Sequence, residues 1–226
     1  MIVHNVDQGS SAWLRLRMGI PTASAFDSII TPKGKESAAQ DTYLRELLAE
    51  LVMGHPLAGP SMPWMDRGKA LEQEAASFYE FQNEIETVRV GFITNDAKTM
   101  GASPDRLVGD KGLLEIKVPK PETHIGYLIF HDVSEKYKPQ IQGQLYVAER
   151  EWLDIVSYHP EMPPAIVHCV RDEEYIKTLA KQLNQFSERL EALKGDLAER
   201  GLLHEPAVPR EFLTDADVEA ILESRR

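Results

Sequence analysis

The segment that most constrains the fold is residues 101–120, GASPDRLVGDKGLLEIKVPK. Its second half, LLEIKV, is an apolar run of strand length, and the GDKG sequence before it is typical of a tight turn between two strands. Alternate residues of a strand face the same side, so Glu115 and Lys117 point together while Ile116 points to the opposite side. An acid and a base within such an apolar strand require either a partner or a function.

Asp105 lies before the predicted turn, at the end of the preceding strand. A hairpin would bring it beside Glu115, and two adjacent carboxylates repel each other unless a cation joins them. Mg²⁺ or Mn²⁺ suits such a pair, since both prefer hard oxygen ligands and retain bound water. With Lys117 beside the ion, the group has the parts needed for phosphodiester hydrolysis. The alternative interpretation of Glu115 and Lys117 is an ordinary ion pair on a solvated strand.

Hydrophobic periodicity predicts the order of helices and strands. Helices are predicted at 10–19, 22–30, 41–54, 66–81, 136–149 and 173–200. Strands are predicted at 86–95, 98–105, 113–118, 152–160 and 164–172. We therefore predict an α/β fold with a mixed sheet of about five strands flanked by helices. Residues 1–226 are predicted to form a single domain, with 205–226 as a C-terminal helix or tail.

Composition excludes several classes of protein. The single cysteine, Cys169, rules out a disulfide within the chain and a cysteine-built zinc or iron–sulfur site, and it favours a cytoplasmic location. The sequence has neither a signal-peptide pattern nor an apolar run of about 18 residues, so no membrane association is expected. The net charge of −11 argues against a broad basic surface for nucleic acid, although carboxylates also suit an enzyme that binds metal ions.

Beyond these local patterns, the chain resembles a known family. SPD followed by LEIKVP resembles the PD-(D/E)XK nuclease superfamily, which has a restriction-endonuclease-like core. Within it, the chain is similar to the phage lambda-type alkaline exonucleases and the YqaJ-like viral recombinases. The similarity extends to WLRLRMGIPTAS (13–24), RGKALEQEA (67–75) and QIQGQLYVAEREWLDIVSYHPEM (140–162).

The resemblance implies roles for individual residues. Asp105 and Glu115 would bind metal, assisted by the backbone carbonyl of Ile116, and Lys117 would be the catalytic lysine. Glu72 would line the metal site, although a solvent-facing acid is the alternative. The resemblance implies Mg²⁺ or Mn²⁺ as cofactor, and two ions per active site are expected.

A glutamine-rich helix is also implied to face the site. Gln142 and Tyr146 fit the family's glutamine–X–X–X–tyrosine pattern, and residues four apart share one face of a helix. Gln142 is therefore expected among the catalytic residues and Tyr146 among those that bind DNA. Gln140 lies close enough to be the alternative glutamine, and ordinary core packing is the alternative for Tyr146.

A second group of residues matches family positions that bind the 5′-terminal phosphate of DNA. This group comprises Arg17, Ser24 and Ser103. Arginine binds phosphate in a bidentate manner, and serine hydroxyls add hydrogen-bond donors. Trp13 is expected either to stack on a DNA base or to anchor the N-terminal helix in the core.

The activity implied by the resemblance is metal-dependent digestion of linear duplex DNA from 5′ ends, preferably phosphorylated ones. The products would be mononucleotides and a 3′ single-stranded overhang for phage-type recombination. The resemblance also implies a ring-shaped homotrimer and a phage-type single-strand annealing protein as partner, in a bacterial host's cytoplasm. The alternatives are another PD-(D/E)XK nuclease, such as an endonuclease, and a DNA-end-binding protein without catalysis.

Overall fold

The computed structural model describes residues 1–57, 63–131 and 135–203, with side chains described at all of these except 63–70. The α-helices in this part of the chain are α1 (Ser11–Arg17), α2 (Gln40–Met53), α3 (Pro63–Asn83), α4 (Pro121–Phe130), α5 (Lys138–Val147) and α6 (Glu173–Glu199). Two short 3₁₀-helices span Ala23–Ser28 and Glu135–Tyr137. The segment 205–226, predicted to be a helix or tail, lies outside the described residues.

The strands form two sheets. They are β1 (Ile2–His4), β2 (Thr87–Arg89), β3 (Phe92–Thr94), β4 (Gly101–Ala102), β5 (Arg106–Val108), β6 (Gly112–Lys117), β7 (Trp152–His159) and β8 (Met162–Val170). The larger sheet has the order β2-β5-β6-β7-β8, with β6 and β7 parallel and the other pairs antiparallel. The smaller sheet has the order β1-β3-β4. The predicted α/β fold with a five-stranded mixed sheet is confirmed.

The strand predicted over 86–95 is instead divided between the two sheets. Its first part, β2, pairs with β5, and its second part, β3, pairs with β1 and β4. Gly91 lies at the division, where a Cβ atom would be 1.8 Å from the carbonyl oxygen of Val6. Only glycine allows the N-terminal segment to approach this closely, so the chain can cross from one sheet to the other here.

The hairpin was predicted in the correct place but with the wrong first arm. The arm that pairs with β6 is β5, whereas the predicted strand 98–105 contains only the two residues of β4. Asp105 directly precedes β5, and its backbone N–H donates to the carbonyl of Leu114 at 3.1 Å. Strand β1 and helix α4 were not predicted. No helix among the described residues is long and apolar enough to cross a membrane.

The large sheet is covered on both faces. Leu113 and Ile155 belong to the main core, which also contains residues of α5 and α6. Leu114, Ile116 and Val156 point to the other face and pack with residues of α3. Alternation along β6 therefore directs Glu115 to the face covered by α5.

Helices α5 and α6 complete the main core. At Gly143 of α5, a Cβ atom would lie 2.4 Å from the ring of Phe26, so the absence of a side chain lets this helix pack closely on the 3₁₀-helix. Helix α6, predicted over 173–200, has an apolar stripe that faces the core over most of its length. Its buried members include Ile176, Leu179, Leu183, Phe186 and Leu190.

Candidate active site

The structure brings Asp105, Glu115 and Lys117 together at the end of β6. Asp105 is fixed beside the strand because its Oδ2 accepts a hydrogen bond from the backbone N–H of Ile116 at 2.6 Å. The Lys117 ammonium donates to Glu115 Oε1, also at 2.6 Å. Glu115 is only 6% exposed, so this carboxylate depends on its hydrogen-bond donors for stabilisation.

The electrostatics of this group are typical of a cation site. Burial raises the pKa of the Asp105 carboxyl well above its ordinary value, and the charges of Glu115 and Glu72 raise it further, while the Ile116 N–H opposes the change. The pKa of Lys117 is also raised: burial alone would lower it, but the charge and hydrogen bond of Glu115 outweigh burial. The repulsion between two such carboxylates decreases when a cation binds between them.

Glu72 approaches this group from α3. Its side chain is half-buried, and its charge acts on Asp105. Among the described residues, no three His, Cys, Asp or Glu side chains converge closely enough to form a complete metal site. A pair of carboxylates is nevertheless sufficient for Mg²⁺, which commonly keeps several waters and takes further oxygen ligands from a bound phosphate. The side chains therefore fit a hard divalent cation.

The glutamines that contact Glu115 differ from the one that was predicted. Gln140 donates to Glu115 Oε1 at 2.9 Å, and Gln144 donates to Oε2 at 2.8 Å. Gln142 turns away from the site: its amide donates to the carbonyl of Val170 at 2.9 Å and accepts from the N–H of Asp172 at 2.8 Å. The placement of Gln142 in the site was wrong, and the alternative, Gln140, occupies it.

The reason is geometric. Gln140 and Gln144 satisfy the four-residue spacing as well as Gln142 and Tyr146 do, and the two pairs lie on opposite faces of α5. Tyr146 is half-buried and packs against the main core, in agreement with the alternative given for it. The tyrosine beside the site is Tyr137, whose ring centre lies 5.3 Å from the Lys117 ammonium. The sequence pattern carried no signal for Tyr137, and the one signal for Gln144 is its position four residues after Gln140.

The residues predicted to bind a terminal phosphate also come together, in what we call the anion pocket (Trp13, Arg17, Thr22, Ser24 and Ser103). The Arg17 guanidinium donates to hydroxyls of three residues, at 3.3 Å for Thr22 and at 3.4 Å for Ser24 and for Ser103. Burial lowers the pKa of Arg17, although an arginine remains charged at any ordinary pH. No role was predicted for Thr22, although it lies within the family-like stretch WLRLRMGIPTAS (13–24).

Trp13 packs against Arg17, and its indole N–H is hydrogen-bonded within the protein. Its indole ring centre lies 4.1 Å from the Arg17 guanidinium carbon. The indole N–H donates to Ser103 Oγ at 3.0 Å and to the Gly91 carbonyl at 3.1 Å. The indole ring thus contacts both Arg17 and Ser103 and helps to hold them in position.

The two parts of the site share one short segment. Ser103 belongs to the anion pocket and Asp105 to the carboxylate group, with only Pro104 between them. Gln8 fixes this segment by donating to the Pro104 carbonyl at 3.0 Å and to the Val90 carbonyl at 2.9 Å. The site therefore combines a rigidly held anion pocket with a carboxylate pair and a lysine.

The fold of this chain is similar to that of solved exonucleases. The structure is similar to that of an alkaline exonuclease, LHK-Exo, from Laribacter hongkongensis, with a TM-score of 0.75 and 29% identity over 85% of this chain and 98% of that one. The same enzyme in complex with dAMP matches at 30% identity, with the same TM-score and coverage. A phage-related exonuclease from Haemophilus somnus 129PT shares the fold, with a TM-score of 0.62 and 14% identity over 79% of this chain and 96% of that one.

The comparison with curated proteins found no match. The family model of the YqaJ-like viral recombinase domain matches residues 12–151, which include the anion pocket, the carboxylate pair, Lys117 and α5. The resemblance to lambda-type exonucleases is thereby confirmed. Since the match covers more than half of its length, the chain belongs to the family of YqaJ-like viral recombinases.

Proposed function

We propose that the protein is a metal-dependent 5′-to-3′ exonuclease that digests linear duplex DNA to mononucleotides and leaves 3′ single-stranded overhangs. Membership of a viral recombinase family and likeness to an alkaline exonuclease support a nuclease role. The observation that carries the finer proposal is the position of an anion pocket two residues from the carboxylate pair. The overhangs would serve phage-type recombination by strand annealing.

In this proposal, the side chains of the carboxylate group have separate tasks. Asp105 and Glu115 bind a divalent cation through their carboxylates, the carbonyl of Ile116 is a further ligand, and Glu72 lines the site from α3. When bound, Mg²⁺ or Mn²⁺ lowers the pKa of water and stabilises negative charge on phosphoryl oxygens. We expect two ions per active site, because the family resemblance implies them.

Lys117 and Gln140 of α5 both donate hydrogen bonds to Glu115 Oε1. The ammonium of Lys117 lies beside Glu115 Oε1, where it can neutralise charge that develops on the scissile phosphate. Gln140 donates to the same oxygen and so keeps the carboxylate directed towards Lys117. The Lys117 ammonium lies over the ring of Tyr137, and this contact limits the positions that the ammonium can take.

Binding of the 5′-terminal phosphate in the anion pocket sets the direction of digestion. Arg17 and the hydroxyls of Ser24, Ser103 and Thr22 bind the 5′-terminal phosphate, and Trp13 holds the arginine in position. Two residues of extended chain span at most about 7 Å, which is the scale of the spacing between neighbouring phosphates on a strand. A terminal phosphate in the pocket would therefore place the next phosphodiester at the carboxylates, so that one nucleotide is released at a time.

We also propose that the protein acts as a homotrimeric ring around the duplex and works with a phage-type single-strand annealing protein. Family resemblance supports both. A ring is consistent with the net charge of −11, because enclosure of the duplex holds DNA without a broad basic surface. Light scattering in solution tests the oligomeric state, with three chains as the expected result.

The decisive experiment is a time course on duplexes with defined ends. We expect Mg²⁺-dependent release of mononucleotides from a linear duplex with 5′-phosphates, slower release from 5′-hydroxyl ends, and arrest by EDTA. Cutting of closed circular DNA would indicate an endonuclease instead. Binding of ends without any metal-dependent release would indicate a DNA-end-binding protein without catalysis.

A further inference from the structure

The glutamines of α5 differ in how their amides are satisfied. Gln142 uses both ends of its amide on the backbone, donating to Val170 and accepting from Asp172. Gln144 is only 1% exposed and uses its amide nitrogen on Glu115 Oε2. Among the described side chains, its Oε1 belongs to the few buried polar atoms that have no hydrogen-bond partner. Most buried polar atoms in proteins are hydrogen-bonded, so the unpartnered carbonyl of Gln144 calls for an explanation.

The orientation of this amide follows from the carboxylate alone. If the Gln144 amide were reversed, its carbonyl oxygen would face a carboxylate oxygen of Glu115, and two acceptors would repel each other. Lys117 and Gln140 both donate to the other carboxylate oxygen, Oε1. Gln144 is therefore the side chain whose hydrogen bond fixes Oε2 and, with it, the rotation of the carboxylate plane.

From this geometry we infer that Gln144 is a positioning residue for the metal site: its hydrogen bond to Glu115 Oε2 fixes the plane of the carboxylate that would bind the cation. The inference rests on the proposed function, in which Glu115 is a metal ligand. Gln144 touches neither DNA nor the reacting phosphate in this scheme and acts through Glu115. Hydrogen-bond partners that orient a metal ligand typically change metal affinity or activity about 10- to 100-fold when they are removed.

The test compares two substitutions of equal shape on the same helix. Gln144→Met removes the donor to Glu115 and keeps the side-chain volume. Gln142→Met is the matched control because its amide is hydrogen-bonded to Val170 and Asp172 and not to Glu115. Calorimetric titration of each metal-free protein with Mn²⁺ gives affinity without turnover. We expect about a tenfold or greater loss of Mn²⁺ affinity for Gln144→Met and wild-type affinity for Gln142→Met.

Kinetics separate positioning from a general loss of structure. For Gln144→Met, we expect a higher half-saturating Mn²⁺ concentration and an unchanged KM for duplex ends, since the anion pocket is built from other elements. Wild-type Mn²⁺ affinity in Gln144→Met, or an equal loss in Gln142→Met, would overturn the inference. Should Gln144→Met fail to fold, Gln144→Leu is a second variant that removes the donor to Oε2; wild-type affinity in that variant would equally overturn the inference.

The same measurements distinguish this inference from the proposed function. If the wild-type protein binds Mn²⁺ but releases no nucleotides, the exonuclease proposal fails, and the binding titrations still decide the role of Gln144. If the wild-type protein binds no Mn²⁺, both proposals fail together.

Discussion

Replacement of Lys117 by alanine gives the most direct test of the catalytic arrangement. The side chain is 24% exposed and lies 2.6 Å from Glu115 Oε1, so its charge acts in a partly shielded environment. At an effective dielectric constant of about 20, a unit charge about 4 Å from a phosphate oxygen contributes about 4 kcal/mol. Since about 1.4 kcal/mol corresponds to a tenfold change in rate, we expect kcat to fall about 10³-fold.

DNA binding should survive this change, because the anion pocket does not include Lys117. The assay is single-turnover cleavage of a 5′-phosphorylated duplex, together with its dissociation constant in the absence of a catalytic metal. Lys120→Ala is the matched control: this lysine is exposed three residues further along the chain, and its removal should leave the rate unchanged. A Lys117→Ala protein that cleaves at near wild-type rate, or that loses binding and cleavage to the same degree, would refute the reasoning.

Three further predictions concern the anion pocket, the packing of α5 and the cap of α6. For Arg17→Ala, cleavage of 5′-phosphorylated duplex should slow about 10- to 100-fold, since hydrogen bonds to charged groups contribute about 1.5–3 kcal/mol; an equal loss on 5′-hydroxyl ends in parallel time courses would contradict the assignment. Gly143→Ala would place a Cβ atom 2.4 Å from the Phe26 ring, so urea unfolding should show a loss of about 1–3 kcal/mol; Gly195→Ala on α6, where a Cβ meets nothing within 4 Å, is the control. Asp172 caps α6 by accepting from the Tyr175 N–H, and the hydrogen bond from Lys138 is the largest cause that lowers its pKa from 3.8. Asp172→Ala should destabilise the protein by about 1 kcal/mol at neutral pH. A carboxylate whose pKa is lowered by folding contributes stability above its unfolded pKa, and this stability is lost as pH falls through its folded pKa. The destabilisation by Asp172→Ala should therefore shrink as pH falls below about 4, and a destabilisation that stays constant down to pH 3 would contradict this prediction.

The carboxylate pair and the lysine could be predicted because their geometry is local. Alternation within β6 places Glu115 and Lys117 on one side, and a short turn suffices to bring Asp105 beside the strand. The structure keeps this arrangement even though the first arm of the hairpin is β5 and not the predicted segment 98–105. The errors in the predicted strand bounds therefore did not change the predicted proximity of Asp105, Glu115 and Lys117.

The face of α5 could not be predicted, since helical spacing does not state which face is turned towards the site. Gln140 with Gln144 and Gln142 with Tyr146 have the same four-residue spacing, and tertiary contacts, such as those of Gln142 with Val170 and Asp172, decide between them. The division of 86–95 between two sheets has a similar cause. It depends on contact between Gly91 and Val6, which are far apart in the sequence.

The segment Ser103–Pro104–Asp105 has a consequence for the product of the proposed reaction. It joins Ser103, which is proposed to bind the end of a strand, to Asp105, which is proposed to bind the metal, and Gln8 donates a hydrogen bond to the Pro104 carbonyl between them. Proline at its centre fixes one backbone torsion and stiffens the link further. In the proposed reaction, this short segment would act as a molecular ruler, so that the length of the released fragment would not depend on the sequence of the DNA.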